Sequence, residues 1–200
     1  RSSGLATIPA TLFKYNTASV TLNFSSAFHT AASITSIPAA LFQFNEQATS
    51  FSNTFNGTSI TAVPTDIFRY NTNATVFTAV FATTDITTVP ATTFFYNTAA
   101  TTFLQSFLNC SSMTSIPSGL FDTNTLATIF QSTFQATAIT SVPADLFKLN
   151  VNATNFSSTF LNCGSLVTVN SGVFESNDKV TTYNNCFDGC TILVNFSSTI

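Results

Sequence analysis

Residues 60–85 read Ile60-Thr-Ala-Val-Pro64-Thr-Asp-Ile-Phe68-Arg-Tyr-Asn71-Thr-Asn-Ala-Thr75-Val-Phe77-Thr-Ala-Val-Phe81-Ala-Thr-Thr-Asp85, and the pattern returns from Ile86 to Ser112. Folding the chain on itself at this period, 26 to 29 residues, puts twenty of its 23 phenylalanines into three columns. Four residues after a proline (Pro9, Pro38, Pro64, Pro90, Pro117, Pro143, and Asn170 in the last unit) comes Phe13, Phe42, Phe68, Phe94, Phe121, Phe147 or Phe174. Three residues later stands an asparagine: Asn16, Asn45, Asn71, Asn97, Asn124, Asn150 or Asn177. A second aromatic column runs Phe24, Phe51, Phe77, Phe103, Phe130, Phe156, Tyr183, and a third Phe28, Phe55, Phe81, Phe107, Phe134, Phe160, Phe187. Self-similarity at such a period is the signature of a solenoid, in which each coil contacts only its neighbours.

The repeat divides residues 1–200 into one solenoid domain, with units at about 5–33, 34–59, 60–85, 86–112, 113–138, 139–165 and 166–192 and a partial unit at 193–200. Each unit opens on Ile-Thr-x-Ile/Val, as in Ile34–Ile37. The β-branched residues suit a strand of about four residues that pairs with its copy in the next coil. Proline ends the ladder and suits the first turn of a helix. In Pro38–Phe42 the apolar residues three and four positions on share one helical face, and the following Asn suits a left-handed stop. In Ala-Thr-x-Phe-x-x-x-Phe, as in Ala48–Phe55, the two Phe lie four apart on a second helical face. The preceding Thr21, Thr49, Thr75, Thr101, Thr128, Thr154 and Thr181 take the place of an N-cap. The expected fold is an α/β repeat solenoid of about seven coils. Each coil has one short parallel strand and two short helical or 3₁₀ turns. The first unit carries extra residues around Phe24 and Phe28. The last gains Glu175, Asp178, Lys179 and Asp188, as a water-facing terminal coil would.

Charged residues make up 6% of the chain against 44% hydrophobic, and the net charge is −3. No basic patch collects phosphates, which argues against nucleic acid. No stretch approaches the ~20 apolar residues of a membrane span. High aromatic content argues against disorder. Solubility falls to Thr, Ser and Asn, a surface that suits an extracellular protein. The chain opens at Arg1 without a Met or an apolar leader, as a processed form or an ordered fragment would. Sequons stand at Asn23, Asn56, Asn73, Asn109, Asn152, Asn155 and Asn195. They would carry glycans only in a eukaryotic secretory setting.

Catalysis finds little support. His29 is the one histidine, with no evident nucleophile beside it. Asp66 and Asp145 share a column but stand three coils apart, about 15 Å at a strand spacing per coil, too far to act on one bond. No phosphate-cradling Gly loop is present. Cys163 and Cys190 are equivalent residues of adjacent coils, about 5 Å apart and within disulfide reach. Cys186 precedes Cys190 by four residues. A Cys163–Cys190 or Cys186–Cys190 bridge and a reduced buried ladder both remain open. Cys110, between Thr84 and Thr137, is expected as a free buried thiol, and a zinc site is not expected because it cannot converge with the others. No cofactor is implied.

Two surface rows are the candidate contact residues. Thr35, Thr61, Thr87, Thr114 and Thr140 should point outward from the strand, beside Ser36, Ala62, Thr88, Ser115 and Ser141. Such an array can order water against ice or hold a polymeric surface, although Thr also simply suits an exposed strand. Tyr15, Phe44, Tyr70 and Tyr96 form an aromatic stripe over four coils that breaks at Thr123. Such a stripe stacks on sugars or packs against another chain.

The runs Ala48–Phe55 (ATSFSNTF), Ser59–Pro64 (SITAVP) and Phe107–Pro117 (FLNCSSMTSIP) resemble the bacterial surface-protein repeat of about 26 residues, grouped with the BspA-like leucine-rich repeats. The family cysteine is matched at Cys110, Cys163 and Cys190, while Ala31, Thr58, Thr84 and Thr137 stand there in other units. Proline replaces the acidic residue more frequent after the strand. The resemblance implies a leucine-rich-repeat-like solenoid on a secreted, cell-surface or virion-surface protein. It would serve adhesion, recognition or assembly without catalytic residues. Other protein chains or surface glycans are the expected partners, and a homo-oligomer or a structural filament or sheath is the expected alternative form.

Overall fold

The structure, a computed structural model, describes residues 6–17 and 21–196. Leu5, which opens the first unit, and Ser197–Ile200, which close the partial eighth, lie outside the described residues. The phenylalanine columns form three continuous stacks. Along each, rings of adjacent coils lie near-parallel with centroids 5.3–6.0 Å apart, as in Phe160–Phe187 and Phe68–Phe94. Between columns the rings meet tilted or edge-on, as Phe51 meets Phe68 at 4.6 Å and Phe77 meets Phe94 at 5.0 Å. Offset and edge contacts are the favoured arrangements for aromatic quadrupoles, and each fully buried Phe contributes about 1.5–3 kcal/mol from its area alone. Ile34, Ile60, Ile86, Met113, Ile139 and Leu166 fill the same core as a further fully buried column.

Regular secondary structure is sparse, because each coil offers its neighbour only a few residues at each ladder. The strands are β1 (Leu22–Asn23), β2 (Ala48–Ser50), β3 (Ser141–Val142), β4 (Thr168–Val169) and β5 (Asn195–Phe196). All pair in parallel: β1 with β2, and β3 with β4 and then β5. Single parallel bridges continue the first ladder from Ser50 through Val76, Thr102, Ile129 and Asn155 to Thr182. The second ladder is the expected Ile-Thr-x-Ile/Val strand. It is carried from Thr61 to Val167 by backbone bonds such as Thr114 N–H to Thr87 O at 3.0 Å. Each coil therefore has two strand-like passes rather than one.

The expected helical turns do not form; the described residues contain no helix. The Phe-x-x-x-Phe segment is a succession of tight turns. Alternate N–H groups leave the coil, as Phe51, Asn53, Phe55 and Gly57 donate to Val76, Thr78, Val80 and Ala82. Those between them close back three residues, as Thr54 does on Phe51. Two left-handed positions per coil enforce this alternation, because a helix cannot continue through them. One holds Ser26, Asn53, Ala79, Gln105, Ser132, Ser158 and Asn185; the other holds Thr30, Gly57, Thr83, Asn109, Ala136, Asn162 and Gly189. The Pro38–Asn45 segment is likewise made of single turns, with Leu41 N–H on Pro38 O and Asn45 N–H on Phe42 O.

The Asn column does not occupy the left-handed region. Asn71, Asn97, Asn124 and Asn150 are fully buried. Each carboxamide donates twice to the coil before it: Asn97 Nδ2 reaches Phe68 O at 3.1 Å and Asn71 O at 2.9 Å. A buried hydroxyl row does the same on the opposite side of the second Phe. Thr54, Ser106, Thr133 and Thr159 each bridge two Phe carbonyls one coil apart, as Thr133 does at 2.9 and 2.7 Å. The third row mixes Thr and Cys. Phe81 O accepts from both Thr84 Oγ1 and Cys110 Sγ, and Phe134 O from both Thr137 Oγ1 and Cys163 Sγ.

Three outcomes follow from these contacts. Asn97→Leu removes one of the two donors from each of Phe68 O and Asn71 O, which keep the backbone N–H of Asn71 and of Ala74, and should cost about 1–3 kcal/mol in urea unfolding, at roughly 0.5–1.5 kcal/mol per lost bond. Thr83→Gly, at a strained left-handed position already held by Gly57 and Gly189 in sister coils, should raise stability by about 1 kcal/mol. Burial lifts the Cys110 thiol from 9.0 to about 11, and burial lifts Cys186 to about 12. The folded chain then holds protons that the unfolded chain releases, so stability is full below pH 9.0 and falls between there and about 11. Cys110→Thr, which copies the sister coils, should lessen that alkaline loss in melts run across this range.

Candidate functional site

Thr35, Thr61, Thr87, Thr114 and Thr140 are all exposed, as are Ser36, Ala62, Thr88, Ser115 and Ser141 beside them. The flanking Ile/Val positions are buried on both sides. The strand therefore presents two successive outward residues between two inward ones. Neighbouring coils touch across this face, with Ser115 Oγ donating to Thr88 Oγ1 at 3.3 Å.

A second hydroxyl face escaped the sequence reading. The Thr column assigned to helix caps is a strand column, and Leu22, not Thr21, begins it, since Thr49 Oγ1 donates to Leu22 O. From Thr75 onward each threonine donates twice to the same acceptor. Thr101 sends its N–H to Thr75 O at 2.9 Å and its Oγ1 to that oxygen at 3.1 Å. Thr128, Thr154 and Thr181 repeat this at 3.3, 3.1 and 3.1 Å. The only hydroxyl proton of each is consumed within the solenoid, so the oxygen faces out as an acceptor in a fixed orientation. Beside them lie Ser50, Val76, Thr102, Ile129, Asn155 and Thr182, all half-buried. This row is cross-linked by Asn155 Nδ2 to Gln131 Oε1 at 3.2 Å and by Ser157 Oγ to Thr182 Oγ1 at 3.0 Å. The signal was present in the sequence as an unbroken Thr column, but a cap and an outward strand position ask for the same residue type.

The aromatic stripe lies on the edge around the buried Asn column. Tyr15 is 87% exposed and Tyr70 48%, while Tyr96 is half-buried. The Arg69 guanidinium sits between two of the rings, 5.9 Å from Tyr70 and 5.1 Å from Tyr96, and pairs with Asp66 at 3.6 Å. Lys14 lies 5.5 Å from the Tyr15 ring. The stripe ends at Thr123, whose Oγ1 turns back to donate to Phe95 O at 2.7 Å.

The four cysteines are free thiols, so neither proposed bridge is formed. Register does bring Cys163 and Cys190 into one column. Each sulfur is held instead by a Phe carbonyl of the preceding coil, Cys163 by Phe134 at 3.1 Å and Cys190 by Phe160 at 3.2 Å. Cys186 belongs to a different column, the buried hydroxyl row of Thr159, and burial raises all three thiols. Asp66 and Asp145 stay apart; Asp145 accepts from Ser118 Oγ. His29 is exposed. Among the described residues no three His, Cys, Asp or Glu side chains converge on a metal position, and no helix is long and apolar enough to cross a membrane.

No family model and no curated protein matches the chain. Among solved structures, a chain of the glycosylated Drosophila Toll–Spatzle complex is similar over 88% of this chain, at TM-score 0.52 and 19% identity. A second structure of that complex aligns over 90% at TM-score 0.45 and 16% identity. A leucine-rich repeat protein from Bacteroides ovatus aligns over 86%, and over 62% of its own length, at TM-score 0.26 and 14% identity. The present chain spans 25% and 28% of the two Drosophila chains. The first of these likenesses, together with the ladders and stacked cores above, shows the fold: a parallel repeat solenoid of the leucine-rich-repeat type.

Proposed function

We propose that this solenoid is a non-enzymatic recognition module of a secreted or surface protein, serving adhesion or the capture of protein or glycan partners. The supporting observation is the pair of hydroxyl faces, above all the row in which Thr75 to Thr181 hold their Oγ1 atoms against the preceding coil. Groups already fixed lose little conformational entropy when a partner docks. A ligand rich in hydroxyl or amide donors would meet a file of aligned acceptors at one coil's spacing. Charge plays a small part, since only 6% of residues carry it.

A second reading, ice binding, draws support from the regular exposed Thr35–Thr140 row. The two separate experimentally. Binding to immobilised cellulose, chitin, mannan, collagen and fibronectin tests recognition. Thr101→Lys with Thr128→Lys should lower binding to the positive surface about tenfold or more while the melting temperature holds, because two long cations block the acceptor file. Binding to none of these surfaces, or equal binding by the variant, would sink recognition through this face. Thermal hysteresis in the parent protein, lost on Thr87→Lys with Thr114→Lys, would establish the ice reading in its place.

A further inference from the structure

The large apolar side chains that remain exposed are not scattered. Among the described residues, apart from Leu12, Ile192 and Val194 in the terminal coils, they gather on the single edge that wraps the buried Asn column. Tyr15, Phe44, Tyr70 and Phe95 occupy it in the first four coils; Leu126 and Leu149 carry it on through the next two. Seven coils at a strand spacing of ~4.8 Å make this edge about 30 Å long. A chain with so few charges leaves such a strip open to association.

The charges on that edge are ordered as well. Coil one carries Lys14, coil two Glu46, coil three Arg69, coil five Asp122, coil six Lys148 and coil seven Glu175 with Asp178. Read from the two ends inward, the signs of these seven residues are opposite at every step. Lys14 answers Glu175 and Asp178, Glu46 answers Lys148, and Arg69 answers Asp122. Coil four, with Phe95 and Tyr96, has no charge on the edge and stands at the centre. Asp66, Asp145 and Lys179 depart from the scheme, and each is engaged at home: Asp66 by Arg69 at 3.6 Å, Asp145 by the Ser118 hydroxyl, and Lys179 by Asn152 Oδ1 at 2.6 Å.

We propose that this edge is a homodimer interface in which two copies pack antiparallel about a two-fold axis through coil four. An isologous contact of this kind places each residue of coil n against coil 8−n of the partner and uses every pairing twice. A parallel pairing would set each charge against its own copy and is disfavoured at every step. Phe44 then meets the aliphatic surface at Leu149, and Tyr70 that at Leu126. Arg69 keeps its side chain 50% exposed despite Asp66 and the two tyrosines, so it has a free side to offer. Asp122 has Asp145 as its charged neighbour, and burial and that like charge both raise its carboxyl from the usual range. An incoming guanidinium would relieve this.

Sedimentation velocity and light scattering over a concentration series test the inference, with circular dichroism confirming the fold of each variant. The parent should dimerise. Arg69→Asp and Asp122→Arg should each weaken the dimer about tenfold or more, and the double variant should recover it because both symmetric pairings are restored with reversed signs. A parent that stays monomeric to its solubility limit overturns the proposal. A dimer unmoved by either single change, or not recovered by the double, also overturns it, because the contact then lies elsewhere. Soluble oligosaccharides that bind the monomer at Tyr15–Tyr96 would give the edge to glycans instead and overturn it equally. The strand-face binding proposed above is read on other residues, so its failure and this one are separable.

Discussion

Each coil is completed by its neighbour, and this one constraint governs the molecule. A coil of 26 residues cannot bury its aromatic face alone, and it cannot satisfy its own carbonyls. The carbonyl of Phe68 receives the Asn97 amide from the next coil, and the carbonyl of Phe103 receives the hydroxyl of Thr133. The same neighbours stack their rings face on face. Hydrophobic contact and hydrogen bonding therefore act along one direction, and neither is available to an isolated repeat. The regular columns in the sequence are the trace of that requirement.

The columns were legible because a stacked interior tolerates only residues of like size at like position. Three Phe columns, one Asn column and the Ile/Val strand could be aligned by eye, and the structure places them as continuous stacks and ladders. The helical turns were misread for a physical reason. Two Phe four apart share a face in a helix, and they share one equally when the chain makes two tight turns between them. The feature that decides between these is the left-handed backbone at the residue after next, and glycine or asparagine announces it in only some coils. Ala79, Gln105, Ser132 and Thr83 take up that conformation without a local signal, held by the N–H bonds to the following coil. Tertiary demand overrides intrinsic preference there.

The surface was partly legible. The strand threonines could be assigned outward from their apolar flanks. The second hydroxyl face could not, because Thr49 and its copies satisfy two templates equally well. The Cys column shows the converse ambiguity. Equal register suggested a sulfur–sulfur bond between Cys163 and Cys190, yet each thiol donates to a Phe carbonyl of the preceding coil instead. Register fixes which residues are neighbours, while the nearest acceptor fixes where each side chain points.

The left-handed turns have a mechanical meaning. They send alternate amide protons along the axis instead of around it, so the bonds joining one coil to the next run in the direction of pull when the two ends are drawn apart. A tether anchored through its termini would load these links in series. It would give way at the weakest junction, paying out one unit of contour at a time and dissipating work at each step while the remaining stack stays wound.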